Sequence, residues 1–134
     1  LTQFAGTVLF NFNTGDALLP GLSWQTQDLV IWAPDIIGGI CFLAASQLAI
    51  MEFAHRWFAF RPEQISWWIV AANMLGSILF MVSGVLSFIV PGGDLIAPTL
   101  SNATTAAGAA CFFIGAYLLI PEQAETSTTP ASAG

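Results

Sequence analysis

One stretch of the sequence occurs twice, and this internal repeat constrains the fold more than any other feature. Residues 38–52 read GGICFLAASQLAIME and residues 108–122 read GAACFFIGAYLLIPE, an offset of 108 − 38 = 70 without a gap. The same offset places residues 3–10, QFAGTVLF, on residues 73–80, NMLGSILF. A repeat this long within 134 residues predicts two copies of one structural unit.

Both copies are apolar enough to lie in lipid. Only 7% of the residues are charged, against about 25% in a typical soluble domain, and the mean hydropathy is +0.76. We therefore expect an integral membrane protein with the lipid bilayer as its first partner. The formal charge of −6 excludes a basic surface for nucleic acid or anionic lipid.

The apolar segments predict two helices in each unit, so the expected fold class is all-α, a tandem repeat of transmembrane hairpins. The first unit covers residues 1–56 and the second covers residues 57–120. The expected helices, in chain order, are residues 1–13, 34–55, 62–90 and 99–120. Turn residues predict an outer loop at 14–33, in which residues 23–32 could form a short surface helix.

The first helix is expected to be incomplete at its N-terminus, because residues 1–13 are fewer than the roughly 20 that a crossing needs. In the second unit, residues 64–70 precede the position that matches Leu1, so their counterparts would lie before Leu1. At the other end, Pro121 is expected to stop the fourth helix. Residues 121–134, rich in Glu, Thr, Ser, Ala and Pro, are predicted to form a flexible tail.

The two arginines predict the orientation. Arg56 and Arg61 lie in the loop between the second and third helices. Because positively charged loops stay in the cytoplasm, we expect this loop and the C-terminal tail on that side of a bacterial inner membrane. Two helices per unit return the chain to its starting side, so the units would be parallel repeats about a pseudo-two-fold axis along the membrane normal. Trp24 and Trp32 are expected at the depth of the lipid headgroups.

Small residues at helical spacing predict where the helices pack, because association in lipid depends on close backbone contact and interhelical hydrogen bonds. The expected packing positions are Gly38, Cys41 and Ala45 in the second helix, Gly108, Cys111 and Gly115 in the fourth, and Gly6 and Gly76 in the first and third. Since the repeat superimposes the first two sets, we expect the second and fourth helices to make their closest contacts through these faces. The two cysteines are expected to be packing thiols, with a disulfide or a ligand pair as the alternative.

Four uncharged polar residues are expected within the membrane: Gln3, Asn73, Ser83 and Thr104. An amide in hydrocarbon needs a partner, so Gln3 and Asn73 should face protein. These residues either form interhelical hydrogen bonds or line a path for a polar substrate. No ionisable residue lies deep in any predicted helix, which argues against an ion-coupled mechanism.

Glu52 and His55 have the spacing that places a carboxylate and an imidazole on one helical face. Di-iron bundles use this pair, but they need a second copy and two further glutamates, whereas the counterpart here is Glu122 and Glu125. An interfacial polar cluster is therefore expected, with metal or pigment binding as the alternative. The sequence has one histidine, no lysine and no phosphate-loop motif, so it lacks the residues that hydrolytic or nucleotide chemistry needs. We therefore expect no enzyme, metal or cofactor.

Two glycine patterns carry a family resemblance: Gly6-x-x-x-Phe10 with Gly38-x-x-Cys41-Phe42, and Gly76-Ser77-Ile78-Leu79-Phe80 with Gly108-x-x-Cys111-Phe112-x-x-Gly115. In these residues the chain resembles the YrhK-like family of small bacterial membrane proteins. The stretch Ser66-Trp67-Trp68-Ile69 looks like tandem duplicated, uncharacterised membrane proteins of actinobacterial type. The resemblance implies a two-helix membrane unit, and it supplies no activity and no catalytic residue.

The expected function is non-enzymatic: an accessory or scaffold subunit that packs in a larger membrane assembly or against itself. One alternative is a small transporter or channel that uses the interface between the repeats, with Gln3, Asn73, Ser83 and Thr104 along its path. A further alternative is metal or pigment binding through Glu52 and His55.

Overall fold

The computed structural model describes residues 2–16, 21, 23–57, 60–89 and 96–128, and these residues form an all-helical protein without β-strands. The elements, in chain order, are α1 (Thr2–Asp16), α2 (Trp24–Gln27), a π-helical turn (Asp28–Trp32), α3 (Ala33–Ala54), α4 (Ile65–Leu86) and α5 (Pro98–Thr128). Helices α1, α3, α4 and α5 correspond to the first to fourth predicted helices. The all-α prediction is confirmed for the described residues.

Among the described residues, three segments are long and apolar enough to cross a membrane: Gln25–Ala54, Ile65–Leu86 and Pro98–Pro121. Their lengths of 30, 22 and 24 residues each meet the roughly 20 residues that a bilayer requires. Helix α1, with 15 residues, is shorter than that requirement.

The outer loop is shorter than predicted, because the chain is helical from Trp24 onward. The π-helical turn joins α2 directly to α3, and the N–H of Ala33 bonds to the oxygen of Asp28, five residues earlier. Pro34 follows at once and has no N–H, so the wider turn lies where the regular ladder would be interrupted in any case. A short helix is thus present where one was suggested at residues 23–32, and its direct continuation into α3 was not predicted.

The predicted end of the fourth helix at Ile120 is also wrong, since α5 continues through Pro121 to Thr128. Proline removes one hydrogen bond from a helix interior, but the residues that follow, Glu, Gln and Ala, are strong helix formers. The start of the predicted tail is therefore helical, and residues 129–134 lie outside the described residues.

Small and hydroxyl-bearing residues occupy the interior, whereas large apolar side chains face outward. The buried residues of α3, α4 and α5 include Gly38, Ser46, Gly76, Ser77, Ser83, Gly84, Ser101, Gly108 and Gly115. The exposed large side chains include Phe4, Ile37, Ile40, Leu48, Leu75, Val85, Phe113, Ile114, Tyr117 and Ile120. This distribution is typical of helices that pack in lipid, where close backbone approach replaces hydrophobic burial.

Helix α4 packs against both α3 and α5, and α1 packs against α3. The contact between α4 and α5 is the most extensive, followed by the α1–α3 and α3–α4 contacts. The chain thus forms two antiparallel hairpins, α1–α3 and α4–α5, which we call the first and second hairpins. They meet where α3 packs against α4.

Candidate functional site

Each hairpin has a backbone crossing at a pair of glycines. A Cβ atom placed on Gly76 would lie 3.1 Å from the main-chain oxygen of Gly108, and one placed on Gly108 would lie 3.1 Å from that of Gly76. In the first hairpin, a Cβ atom on Gly6 would lie 3.1 Å from the main-chain oxygen of Gly38. The two crossings are related by the repeat offset, since 76 − 6 = 70 and 108 − 38 = 70.

The predicted pairing of the second and fourth helices through their small-residue faces is therefore wrong. Gly38 and Cys41 face Gly6 of α1, and the side chain of Cys41 would be 3.3 Å from a Cβ atom on Gly6. Gly115 faces Asn73 of α4. These faces thus contact the other helix of the same hairpin, and the two cysteines remain free thiols.

Helices α3 and α5 approach each other through phenylalanine rings instead. The ring centroids of Phe42 and Phe112 lie 5.5 Å apart, and Phe80 of α4 lies 6.0 Å from Phe42 and 5.5 Å from Phe112. Phe42 and Phe112 are equivalent in the repeat, because 112 − 42 = 70. This aromatic trio fills the space where three helices meet, and edge or offset ring packing of this kind adds about 1 kcal/mol per pair.

A hydroxyl pair joins the two hairpins where α3 meets α4. The hydroxyl oxygens of Ser46 and Ser77 lie 2.7 Å apart, and Ser77 is fully buried at 0% exposure. The Ser77 hydroxyl also lies 2.8 Å from the main-chain oxygen of Asn73 and 3.2 Å from that of Phe42. Interhelical hydrogen bonds of this kind stabilise membrane helix packing by about 0.6 kcal/mol each.

A second hydroxyl cluster connects α4 to α5 near the C-terminal end of α4. Ser83 lies 3.1 Å from the Ser101 hydroxyl and 2.5 Å from the Thr105 hydroxyl, and it donates to the main-chain oxygen of Ser101 at 2.9 Å. Thr104 donates within α5, to the oxygens of Leu100 or Ser101. Ser83 and Thr104 are thus both engaged in hydrogen bonds at this level of the bundle.

The π-helical turn connects the first hairpin to the C-terminal end of α4, a contact that the sequence did not predict. The indole N–H of Trp32 donates to the main-chain oxygen of Gly84 at 2.9 Å, and its ring meets Phe88 edge-on at 5.0 Å. The carboxylate of Asp28 accepts a hydrogen bond from the N–H of Ile89 at 3.2 Å. Trp32 was expected at the lipid headgroups, and its half-buried ring shows that it also packs against protein.

A cleft of about 390 Å³ lies where all four long elements converge. It is lined by Thr7 of α1, Phe42 of α3, Asn73 of α4, and Phe112, Ala116 and Leu119 of α5. The carboxamide oxygen of Asn73 would lie 3.0 Å from a Cβ atom on Gly115, so the glycine makes room for the amide. Asn73 is thus the predicted polar residue that borders this space, and the side chain of Gln3 lies outside the described residues.

Glu52 and His55 are exposed at the C-terminal end of α3. His55 adopts a left-handed conformation with φ 52°, which ends the helix. Glu52 borders a shallow cleft with Ser66 of α4, and His55 is not part of its lining. Within the described ranges, no cluster of three or more His, Cys, Asp or Glu residues could bind a metal ion.

No protein-family model matches this chain, and neither a curated protein nor a solved structure shows significant similarity to it.

Proposed function

We propose that this chain is a non-enzymatic subunit of the bacterial inner membrane that packs as an accessory or scaffold element, either in a larger membrane assembly or against a second copy of itself. The three apolar helices, with glycine and serine inside and large apolar side chains outside, support a membrane location. The loop that contains Arg56 and Arg61 and the C-terminal end of α5 would face the cytoplasm.

The observation that carries this proposal is the exposure of α5. Only 11% of an 18-residue apolar window in α5 is buried within the chain, against 17% in the segment that contains α3 and 33% in α4. Its outward side presents large residues, Phe113 at 72% and Tyr117 at 64% exposure, next to a run of alanines that would let another helix approach closely. A helix that packs on α4 along one side and presents this surface on the other is suited to association with a neighbouring membrane protein.

The repeat supports the same proposal. We propose that the two hairpins are tandem copies of one unit, as in a duplicated YrhK-like protein, because the glycine crossings Gly6–Gly38 and Gly76–Gly108 are related by the repeat offset. A parallel arrangement about a pseudo-two-fold axis would place Phe42 and Phe112 beside that axis. Such a unit supplies packing surfaces, and no activity is implied by the resemblance.

Purification in mild detergent with mass spectrometry of the associated chains tests the scaffold proposal. We expect a defined partner or a stable oligomer, and we expect its loss in the double variant Phe113→Ala and Tyr117→Ala on α5. The matched control is the double variant Ile37→Ala and Ile40→Ala on α3, whose side chains are similarly exposed. A monomer that retains no partner, or equal losses in both double variants, would contradict the proposal.

The transporter alternative has less support from the described residues. Its proposed path would join Asn73 to Ser83 and Thr104, but Ser83 is buried against Ser101 and Thr105 in the α4–α5 contact. Asn73 lies ten residues earlier, about 15 Å along α4 at a rise of 1.5 Å per residue. The alternative through Glu52 and His55 likewise has no third ligand among the described residues.

A further inference from the structure

We propose that the cleft between α1, α3, α4 and α5 is a binding site for an uncharged, lipid-soluble molecule that carries a hydrogen-bonding oxygen on an apolar ring. Its volume of about 390 Å³ lies within the range of small-ligand pockets, roughly 300–1,000 Å³. This proposal is independent of the scaffold proposal, because the cleft lies among the helices of one chain.

The chemistry of the lining argues for an uncharged ligand. The six lining residues are Thr7, Phe42, Asn73, Phe112, Ala116 and Leu119, and none of them is ionisable. A charged ligand would lose its hydration without gaining an ionic partner, which is strongly unfavourable in an apolar environment. An uncharged apolar body, in contrast, gains contact with the two phenylalanine rings and with Leu119.

Asn73 argues for an oxygen on that ligand. The hydrogen bonds described at Asn73 involve its main-chain oxygen, which accepts from Ser46 and Ser77, and not its carboxamide. The carboxamide borders the cleft, where a ligand oxygen could accept from its NH₂ group. An amide within an apolar region needs such a partner, since an unpaired one is costly there.

The repeat explains why this space is open. Under the offset of 70, Ser77 corresponds to Thr7 and Ser46 corresponds to Ala116. The hydroxyl pair that closes the α3–α4 contact therefore has Thr7 and Ala116 as its counterpart between α1 and α5, where one hydroxyl is missing. Helices α1 and α5 do not form an extensive contact among the described residues, and Ala116 and Leu119 remain exposed.

The test uses two probes of similar size and shape, duroquinone and durene, which share a tetramethyl-substituted six-membered carbon ring and differ in two carbonyl oxygens. The full chain in lipid nanodiscs is dialysed against each probe, and protein-free nanodiscs of the same lipid give the background. We expect saturable binding of about one duroquinone per chain. Durene should bind at least about fivefold more weakly, because it cannot accept a hydrogen bond from Asn73.

Three variants locate the site. Ala116→Leu should abolish binding of both probes by filling the cleft, whereas Ala109→Leu, at an exposed position on the same helix that does not line the cleft, should bind like the parent. Asn73→Leu should reduce duroquinone binding to the level of durene. If Asn73→Leu fails to fold, the comparison of Ala116→Leu with Ala109→Leu and of the two probes still decides the matter.

The proposal is overturned by three results. These are no saturable binding above the protein-free background, equal binding of duroquinone and durene, which would indicate adventitious partitioning only, or equal effects of leucine at positions 116 and 109.

Discussion

Each hairpin has its own glycine crossing, and the two hairpins differ in the contacts that stabilise the helix pair around that crossing. In the second hairpin, Ser83, Ser101 and Thr105 form a hydroxyl cluster across α4 and α5. At the counterparts of Ser101 and Thr105, the first hairpin has Ile31 and Asp35 (101 − 70 = 31, 105 − 70 = 35). The first hairpin instead contacts α4 through Ser46 and the π-helical turn, so it depends on the second hairpin for part of its stability.

The largest effect is expected at the crossing of the second hairpin. In Gly108→Leu, the new side chain would start 3.1 Å from the main-chain oxygen of Gly76, which cannot move without displacing α4. We expect a loss of about 3 kcal/mol in the free energy of unfolding, measured by titration of detergent-solubilised protein with a denaturing detergent. Ala44→Leu is the control, because Ala44 is exposed on α3 and should change stability by less than about 0.5 kcal/mol. Similar losses in both variants would contradict the crossing.

Replacing glycine by alanine is a smaller change, and it tests the difference between the two crossings. The new Cβ atom would have different neighbours at the two equivalent positions. A Cβ atom on Gly38 would lie 3.4 Å from the main-chain oxygen of Gly6, an ordinary contact, whereas one on Gly108 would lie 3.1 Å from that of Gly76 and 3.3 Å from the Phe80 ring. We expect Gly38→Ala to be neutral or stabilising by up to about 1 kcal/mol, because alanine favours the helix.

Gly108→Ala should be destabilising by about 1 kcal/mol, because overpacking outweighs the same gain in helix propensity. The same unfolding titration compares the two variants. Equal changes at the two positions would show that the crossings are equally tight.

The hydroxyl cluster gives the next effect, confined to the second hairpin. Ser83→Ala removes the hydroxyl that bonds to both Ser101 and Thr105, so we expect a loss of about 1 kcal/mol. Thr104→Val is the control, because among the described residues the hydroxyl of Thr104 bonds within α5, to the oxygens of Leu100 and Ser101. Unfolding of the two variants side by side measures the difference, and an equal cost would mean that the cluster does not connect α4 to α5.

The smallest effect concerns the contact on which the first hairpin depends. Trp32→Phe keeps a ring beside Phe88 but removes the hydrogen bond to Gly84, and we expect a loss of about 0.6 kcal/mol. Hydrogen exchange should become faster in residues 24–34 and remain unchanged in α5. Trp57→Phe serves as the control, since the side chain of Trp57 is 75% exposed. Faster exchange along α5 in the Trp32 variant would contradict the proposed dependence.

The sequence predicted the helices because helix formation depends on local composition. Runs of apolar residues between proline and glycine clusters placed α3, α4 and α5 within a few residues, apart from the two ends at Trp24 and Thr128. The end at Thr128 was missed because Pro121 was given more weight than the helix formers around it, and the continuation of the suggested helix at 23–32 into α3 was missed because Pro34 was treated as a helix start. In each case the chain stays helical across a proline, Pro34 or Pro121, that by itself would indicate a helix boundary.

The partners of the packing faces could not be predicted from the repeat. An offset of 70 predicts that Gly38 and Gly108 occupy equivalent positions in the two units, and it does not say which helix lies beside them. Contact within each hairpin and contact between α3 and α5 satisfy the repeat equally well. The choice depends on packing over the whole bundle, including the trio Phe42, Phe80 and Phe112, whose bulk separates the glycine faces of α3 and α5. The cleft that Phe42 and Phe112 line also depends on packing over the whole bundle, so it could not be predicted from the repeat.

Solid-state NMR of the glycine-labelled chain in lipid bilayers tests the central claim most directly, because it measures glycine proximity without any substitution. We predict carbon–carbon correlations between Gly6 and Gly38 and between Gly76 and Gly108, the pairs that cross within each hairpin. A correlation between Gly38 and Gly108 in place of those two would contradict the account, since it would place the small-residue faces of α3 and α5 against each other.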